Sequence, residues 1–576
     1  MKTERKNLKY FDKIFPALGI LLASIFICIP LLCENINIYV DDGIQHICRL
    51  IGTEQMIKSG QFLPMIMSNF CNNFGYSWNI FYSPLTAYLP LIFRIFNFTF
   101  ENCLKIFMFV IALASGISMY KFTLKITNNC NIATLAACLY ILAPYRITDM
   151  YMRVAISELF SFVFIPMVFD GLYTTINKNE KTWLLVIGAS GLMLTHTVIC
   201  MYTAILSLIY VIVFIKKLNR KNIKYLILNL IIILLATSFF WVGLIQHYFA
   251  TSYEVFVPGR MERIDVLESL KVEFKQLFST KKDSFMIYEI GLITVIGILL
   301  SPINVVKMLK NEDPINSDNN WYLLFLLLGI ILTFMTLTIF PFEKLPKIFT
   351  MLQFSFRLLE FSAFFLSFVA AVNYGMLIKN FKKTDVIILI TISMLLMVPY
   401  KNMLHYDKTN NEDELINPRR VTTQTGRVHA GMASFEYLPS KAFNCLKPYV
   451  AKREDVPIIL NSSNFEMKSY IKNGSNMQVT FEKNSTASEY TKIDIELPYI
   501  YYLGYRVKLN GKNIKYMESE NGFVLIKADS ENDEINIEVK YTGTNLMIIS
   551  FFVSICTVGL LIVYTIIYKR KQKMKV

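Results

Sequence analysis

Long apolar runs are the feature that most limits what this chain can fold into. The segments IFPALGILLASIFICIPLLC (14–33) and LIIILLATSFFWVGLI (230–245) contain no charged side chain. As helices rising about 1.5 Å per residue, such runs cross most or all of a hydrocarbon core of about 30 Å. The composition agrees, because 54% of the residues are apolar and only 18% are charged. The sequence therefore predicts an α-helical polytopic membrane protein.

The hydropathy pattern predicts about twelve transmembrane helices. Segment 81–97 is apolar, but Pro84, Pro90 and Arg94 interrupt it, which favours a helix that lies along or dips into the membrane interface. Region 183–215 must form two short helices. These two segments leave the exact count open. The predicted spans are 14–33, 103–120, 131–147, 155–175, 183–197, 198–215, 224–245, 286–306, 321–340, 361–379, 385–400 and 545–567.

The distribution of basic residues predicts the orientation in the cell membrane. Lys and Arg are concentrated in short segments such as KKLNRKNIK (216–224), whereas segment 34–102 contains only three of them. By the positive-inside rule, both chain ends are cytoplasmic, and segments 34–102, 246–285 and 401–544 are extracytoplasmic. Topology thus accounts for the formal net charge of +15, and we predict no nucleic-acid partner.

A hydrophilic region with strand-like alternation precedes the last apolar run. YRVKLNGKNIKYM (505–517) predicts two strands around Asn510 and Gly511, a strong hairpin signal. GFVLIKA (522–528) and EINIEVKY (534–541) continue as strands. We therefore predict three parts: a polytopic transmembrane module 1–400, an extracytoplasmic β-sandwich-like domain 401–544, and a C-terminal transmembrane helix with a basic cytoplasmic tail, 545–576.

The segment YVDDGIQHICRL (39–50) places titratable side chains just past the first predicted span. If it begins a helix, Asp42, His46 and Arg49 are at positions i, i+4 and i+7 and share one face, which can be presented to a cavity. Asp41 then points about 100° away, so the two aspartates are not predicted to share a proton. An alternative interpretation is a solvated loop in which Asp41 or Asp42 caps the helix.

A second charged cluster, APYRITDMYMRVAISE (143–158), lies between two predicted spans on the same side of the membrane. Asp149 and Arg153 are four residues apart and can pair on a helix. Arg146 and Arg153 are candidates to grip a phosphate, because guanidinium forks match phosphate oxygens. Asp149 and Glu158 would then orient the arginines or an acceptor hydroxyl. The alternative interpretation is a structural ion-pair turn.

Two further features on that side fit a ligand cavity. His196 lies at the outer turn of a helical hairpin, where a satisfied structural histidine is the alternative. In LQFSFRLLEF (352–361), Gln353 and Arg357 are at i and i+4 among phenylalanines. An arginine in that setting needs a carboxylate or a ligand phosphate as counter-anion. The amphipathic segment 246–285 is predicted to cover the cavity.

The motifs of several enzyme classes are absent from the sequence. It contains no GxxxxGK[ST] and no dinucleotide-binding fingerprint. It also lacks zinc-ligand spacing and a serine nucleophile elbow. Any energy source must therefore come with the substrate or from an ion gradient.

The order of these pieces resembles bacterial integral-membrane glycosyltransferases of the GT-C class, in particular the YfhO-like membrane protein family. The resemblance spans nearly the whole chain, and the order and outer placement of the pieces carry it rather than any single motif. The matching pieces are DDGIQHICRL, GQFLPM, NNFGYSWNIFYSPLTAYLPL, LAPYRITDMYMRVAISELFSFVFIPMV, the turn at His196, LQFSFRLLEF and YYLGYRVKLNGKNIKYMESENGFVLIK.

The resemblance implies a sugar transferase that works outside the cytoplasm with a polyprenyl-phosphate-linked sugar as donor. Asp42 matches the acidic position of the first outer loop, which serves the acceptor, and Asp41 is the reserve. Asp149 and Glu158 match acidic positions of the second outer loop. In this sequence the two acids of the first loop are adjacent rather than spaced, which leaves the base open between Asp41 and Asp42.

The same resemblance implies that Arg153 and Arg357 hold the donor phosphate. Glycosyl transfer needs a carboxylate to take the proton of the attacking hydroxyl and cations to stabilise the departing phosphate, so the residue types suit the role. No resident cofactor is predicted, and a divalent metal at the aspartates is left open. Phe74, Tyr76 and Trp78 are either stacking platforms for sugars or members of an interfacial aromatic belt.

The predicted partners are the lipid bilayer, a lipid-linked sugar donor, and a cell-surface polymer or lipid acceptor. Two other function classes remain open. A transporter or flippase for lipid-linked or cell-envelope precursors would carry broken helices with charged residues near the membrane midplane. A non-catalytic envelope assembly protein would use the charged outer segments only for structure.

Overall fold

The computed structural model describes residues 2–37, 40–61, 65–257, 264–280, 286–310, 320–404, 435–445, 453–484, 492–529 and 533–573. Two parts of the predicted cavity cover 246–285, namely 258–263 and 281–285, lie outside the described residues. The chain divides into two compact units. The first consists of Met1–Ile44, Ile92–Ile233 and Glu262–Asn410, and the second of Gln45–Leu91, Leu234–Met261 and Asn411–Val576. The predicted boundaries after 400 and 544 do not coincide with this division, because N-terminal and central segments belong to the unit that contains the β-sheets.

Six of the described helices are long and apolar enough to cross a membrane: Ile14–Cys33, Phe100–Thr127, Ile156–Ile176, Ser355–Leu377, Lys383–Met403 and Asn545–Ile567. Two helix pairs reach span length together, but each is bent at a break. Cys130–Ile141 and Tyr145–Met152 are bent by 43°, and Arg220–Ala236 and Ser238–Ala250 by 69°.

The remaining predicted spans coincide with shorter apolar helices of 10–17 residues, namely Leu184–Thr195, Thr197–Val213, Leu292–Met308 and Asn320–Met335. Within the described residues the chain therefore has six span-length helices, or eight if each bent pair is one span. The count of about twelve stays a prediction.

Segment 81–97 forms no helix of span length. It contains the short helix Leu85–Tyr88 and the 3-10 helix Pro90–Phe96. Pro84 precedes the first helix and Pro90 begins the second, and a proline ring blocks continuation from the preceding turn. The predicted interruption is confirmed, and the position of this segment at the membrane interface stays a prediction.

The helix Ser355–Leu377 forms the centre of the first unit, since all residues of its most apolar stretch are buried. In the helix Ile156–Ile176, 94% of the corresponding residues are buried. Phenylalanine rings fill the space between these helices and their neighbours. Phe364 lies 5.3 Å from both Phe122 and Phe169 by ring centroids. Gly171 allows Ile156–Ile176 to approach the next helix closely, because a Cβ there would lie 2.5 Å from the backbone nitrogen of Leu185.

The second unit contains nine described strands in two antiparallel sheets, ordered β1-β4-β8-β7 and β2-β3-β9-β5-β6. The strands are β1 Ile458–Ile459, β2 Phe465–Asn473, β3 Asn476–Lys483, β4 Lys492–Ile500, β5 Tyr505–Leu509, β6 Lys512–Ile514, β7 Met517–Glu518, β8 Phe523–Asp529 and β9 Glu534–Tyr541.

The predicted hairpin is confirmed as β5 and β6, which pair from Val507 with Ile514 to Leu509 with Lys512. Its turn residues Asn510 and Gly511 both have positive φ, 47° and 76°, as a two-residue type I′ turn requires. Strand β9 alternates exposed and buried residues along its whole length. The β-rich C-terminal region is therefore as the sequence predicted.

The aromatic residues of segment 72–78 are not available as sugar platforms. Phe74, Tyr76 and Trp78 are all fully buried in the second unit. The Phe74 ring packs edge-on against Phe523 at 5.1 Å, and the guanidinium of Arg453 lies 5.2 Å from its centroid. The stacking interpretation is wrong for these three residues, because no ring face is exposed to a sugar. Phe74 instead fastens its segment to strand β8 through Phe523.

Candidate functional site

The twin aspartates lie between the first helix, which ends at Cys33, and the helix Gly43–Lys58. The predicted helix after Asp42 is confirmed. Asp41 has a φ of +22°, and the N–H of Asp42 donates to the carbonyl of Arg153 at 3.0 Å. A backbone hydrogen bond thus ties the first acidic segment to the second charged cluster.

The second cluster is built on an interrupted helix. Cys130–Ile141 ends before Pro144, a short turn Tyr145–Ile147 follows, and Thr148–Met152 forms a π-helix. Single-turn π-helices are rare and frequently lie at functional sites. Arg153 comes next, and the helix Ile156–Ile176 then begins.

Arg153 is fully buried and contacts four carboxylates. Its Nε lies 2.8 Å from Asp41 Oδ2, and its Nη2 lies 3.5 Å from Asp42 Oδ2. Its Nη1 lies 2.9 Å from both Asp149 Oδ1 and Glu158 Oε2. The predicted pairing of Asp149 with Arg153 is confirmed. The assignment of Arg153 to a donor phosphate does not fit, because protein carboxylates already surround its guanidinium.

These contacts also correct the predicted geometry of the aspartates. The helical wheel directs Asp41 away from Asp42, yet both carboxylates reach the same guanidinium. Asp41 precedes the helix and has a left-handed backbone, so helical spacing does not apply to it. Asp41 makes the shorter ion pair and Asp42 the longer one.

Glu158 connects this arrangement to the central helix. Its Oε1 accepts a hydrogen bond from Tyr145 at 2.6 Å, and its Oε2 accepts from Arg153 and, at 3.0 Å, from Arg357 Nε. Arg357 Nη1 also donates to Gln353 Oε1 at 2.7 Å. The predicted contact of Gln353 with Arg357 is confirmed, but Gln353 is not on the predicted helix, because it has a left-handed backbone and precedes Ser355. Glu158 bridges two arginines.

Arg146 and His196 lie outside the ion pairs described above. Arg146 is fully buried with its guanidinium 4.1 Å from the Phe162 ring, and among the described residues its Nε and Nη1 have no hydrogen-bond partner. His196 caps the helix Thr197–Val213, because its Nδ1 accepts the N–H of Ile199 at 3.2 Å. Neutral imidazole then carries its ring proton on Nε2, which agrees with the structural alternative for this histidine.

His46 and Arg49 belong to the second unit, where both are buried. Arg49 Nη2 donates to Asn79 Oδ1 at 3.3 Å and to the Ser83 carbonyl at 3.1 Å, and its guanidinium lies 4.5 Å from the Tyr82 ring. These contacts hold segment 79–86 against the helix Gly43–Lys58. His46 and Arg49 are therefore not part of the candidate site, although the sequence predicts that they share a polar face with Asp42.

Strained backbone marks the same cluster in three places. Asp41, Val154 and Gln353 have positive φ values of 22°, 52° and 65°. Each lies in the network or next to an arginine of it. A valine in the left-handed region is a genuine outlier, and such strain persists at functional sites where the surrounding structure imposes it.

The strain at Val154 leads to a stability prediction. Glycine is usually more destabilising than alanine, but the opposite order is expected at this position. Both Val154→Gly and Val154→Ala lose the packing of the buried valine, but only glycine lacks the Cβ that the left-handed conformation disfavours by about 1–2 kcal/mol. We expect Val154→Gly to melt at a higher temperature than Val154→Ala in detergent-purified protein. A lower melting temperature for the glycine variant would show that the conformation at 154 is not strained.

Asp42 combines burial with access to solvent. Burial raises its pKa from 3.8 to about 6, while Arg153 opposes the shift and Asp41 adds to it. Its side chain nevertheless remains 29% exposed. A carboxyl with a pKa near the working pH and an open side can accept a proton from a substrate. Among the described residues, no three His, Cys, Asp or Glu side chains converge to hold a metal ion.

Sequence reasoning missed two members of the network, Tyr145 and Ser161. Tyr145 lies in the quoted APYR segment, but a tyrosine hydroxyl gives no periodic signal. Ser161 donates to the backbone of Glu158 at i−3 and contacts Glu360 Oε1 at 2.5 Å, a partner 199 residues away. Only the three-dimensional packing of the two helices brings these groups together.

Comparisons with known proteins give one distant relative and no family. A protein of Lactococcus lactis subsp. cremoris (strain MG1363), described as an uncharacterized protein, is 28% identical over 218 residues. The matched region is 36% of this chain and 36% of that protein, so the chain spans well under two thirds of its relative. No family model matches. No solved structure matches.

Proposed function

We propose that this protein is a membrane glycosyltransferase of the GT-C class, similar to the YfhO-like family. It would move a sugar from a polyprenyl-phosphate donor to a cell-surface polymer or lipid acceptor. The single observation that carries the proposal is the pair Asp41 and Asp42, partly exposed carboxylates held by the fully buried Arg153 directly after a span-length helix.

The proposed reaction assigns Asp42 as general base. Its carboxylate takes the proton from the acceptor hydroxyl, whose oxygen attacks the anomeric carbon of the sugar. The bond from that carbon to the phosphate oxygen breaks, and polyprenyl phosphate leaves with the bonding electrons. Asp41 shares Arg153 with Asp42 and keeps the base in place. Raising the pKa of a base towards the working pH is how enzymes match it to proton transfer.

Arg357 is the better candidate to hold the donor phosphate. Its Nε and Nη1 bind Glu158, the Leu352 carbonyl and Gln353, while its Nη2 makes no hydrogen bond with the described residues. The phenyl ring of Phe354 lies 4.7 Å from the guanidinium. The Arg357 side chain is buried and held at Nε and Nη1, so its Nη2 would be the donor for charge that develops on a leaving phosphate.

The proposal keeps the predicted arrangement in the cell membrane. Both chain ends would be cytoplasmic, and segments 34–102, 246–285 and 401–544 would lie outside. The aspartates would then act on the outer face. The span-length helices and the basic short segments support this topology.

The transfer reaction tests the proposal and its pH dependence. Purified full-length protein in liposomes, given a polyprenyl-phosphate sugar and a cell-wall polymer extract, is expected to form a covalent sugar product. The rate should rise with pH through about 6, because only the deprotonated form of Asp42, whose pKa is about 6, can accept a proton. Absence of product with every donor sugar, together with unchanged surface glycopolymers in cells lacking the protein, would overturn the proposal.

Transport is the second candidate function, and one observation favours it. The chain contains two bent helix pairs, and the first of them ends in the charged cluster. Transporters use broken helices to place charged groups around a substrate. Uptake of a lipid-linked precursor into the same liposomes without a covalent product would support a transporter or flippase. If neither transfer nor uptake occurs, a non-catalytic envelope assembly protein becomes the better account.

A further inference from the structure

Ser161 lies between two oxygens of different residues. Its Oγ is 2.5 Å from the backbone oxygen of Glu158 and 2.5 Å from Oε1 of Glu360. A serine hydroxyl has one proton to donate, and a backbone carbonyl can only accept. If Ser161 donated to Glu360, two acceptor oxygens would face each other at 2.5 Å without a proton. The proton between Ser161 and Glu360 therefore belongs to Glu360, which makes that carboxyl a neutral acid.

The surroundings of Glu360 also disfavour a charge. Glu158 has two guanidinium partners, and Asp149 has one. Glu360 is fully buried, and among the described residues its Oε2 has no hydrogen-bond partner. A negative charge on a buried carboxyl without a cationic partner costs much free energy, and such groups bind a proton instead.

The charged groups that act most strongly on Glu360 are Glu158, Asp149 and Arg146, and the titratable hydroxyl of Tyr140 also interacts with it. Arg146 is the one cation among them, and it favours a charged Glu360. It forms no hydrogen bond with that carboxyl, however, since its Nη2 donates to the Tyr140 carbonyl at 3.4 Å and its Nε and Nη1 are without partners among the described residues. Arg153 and Arg357 pair with Glu158 and Asp149, and neither arginine forms an ion pair with Glu360 among the described residues. Glu158 and Asp149 still repel a negative charge on Glu360, and a neutral Glu360 removes that repulsion.

We propose that Glu360 is a proton-binding site of the first unit. Its carboxyl binds a proton at neutral pH and donates it to Ser161 Oγ, and Ser161 donates its own proton to the Glu158 carbonyl. This chain of hydrogen bonds fixes the first turn of the helix Ile156–Ile176 against the central helix. Glu360 is thus a positioning residue that places the Glu158 side chain between Arg153 and Arg357. The assignment goes beyond the proposed function and holds for each candidate function.

Two matched substitutions separate a neutral glutamate from a charged one. Glu360→Gln keeps a donor at Ser161, because the amide N–H₂ group replaces the acid proton. We expect its melting temperature to equal that of the unchanged full-length protein. Glu158→Gln removes a charge that two guanidinium groups share, so its melting temperature should fall clearly. A fall as large in Glu360→Gln would identify Glu360 as the charged counter-ion of Arg146 and overturn the proposal.

Infrared spectroscopy reads the bound proton directly. The unchanged protein in liposomes at neutral pH should show a carboxylic-acid C=O band that Glu360→Gln removes. Ser161→Ala takes away the acceptor, so the same band should move to higher frequency. A spectrum in which Glu360→Gln removes no acid band contradicts the bound proton, and an unmoved band in Ser161→Ala contradicts the direction of the hydrogen bond.

Discussion

Replacement of Arg153 by glutamine should destabilise the first unit by about 3–5 kcal/mol, the usual cost of removing one partner from a buried ion pair. The guanidinium contacts Asp41, Asp42, Asp149 and Glu158. Asp149 and Glu158 are fully buried, so neither can replace the lost cation with water. We expect a large fall in the melting temperature of the purified protein and no detectable function.

The matched variants for this prediction are Arg153→Lys and Arg506→Gln. A lysine keeps the charge, but its single ammonium cannot reproduce a fork whose Nε, Nη1 and Nη2 point to different carboxylates, so an intermediate loss is expected. Arg506 lies in an exposed position on β5 and binds only Asn545 at 3.4 Å among the described contacts, so its replacement should leave stability unchanged. An Arg153→Gln protein that melts with the unchanged protein would show that the four carboxylates do not depend on this arginine.

Sequence patterns were sufficient where the signal is local. The hairpin at Asn510 and Gly511 follows from turn chemistry that two residues specify, and the apolar runs predict span-length helices by composition alone. Gln353 and Arg357 are only four residues apart and do meet, but Gln353 has a left-handed backbone and lies before the helix, so helical geometry is not the cause of this contact. In each case the determining residues are near neighbours in the chain.

The rest depended on geometry that spacing cannot provide. Asp41 departs from the helical wheel because its backbone is left-handed. The residue types favour a phosphate at Arg153, and the sequence does not show that four carboxylates from two chain segments converge on it. Likewise, the burial of Phe74 and Tyr76 involves contacts with Phe523 and Tyr437, several hundred residues later in the chain.

The second large effect is expected for Asp42→Asn. Asparagine has the shape of aspartate but cannot accept the proton of a hydroxyl, and loss of a general base lowers rates by about 10²–10⁴-fold. Stability should change little, because Arg153 keeps its closer partners Asp41, Asp149 and Glu158 and the N–H of residue 42 keeps its bond to the Arg153 carbonyl. The effect should therefore appear in kcat with an unchanged melting temperature.

Asp41→Asn is the matched control, because it removes a neighbouring charge without removing the proposed base. Asp41 helps to raise the pKa of Asp42, so its neutralisation should lower that pKa and move the rising limb of the pH profile to lower pH. The rate at high pH should fall less than in Asp42→Asn. An identical loss in both variants at every pH would assign the base role to the pair rather than to Asp42.

The most direct measurement is the sugar-transfer rate of Asp42→Asn beside Asp41→Asn, with both proteins folded in liposomes and supplied with a polyprenyl-phosphate sugar. We predict that Asp42→Asn loses transfer across the whole pH range, while Asp41→Asn keeps it with a profile moved to lower pH. Full transfer activity in both variants would contradict the assignment of this site.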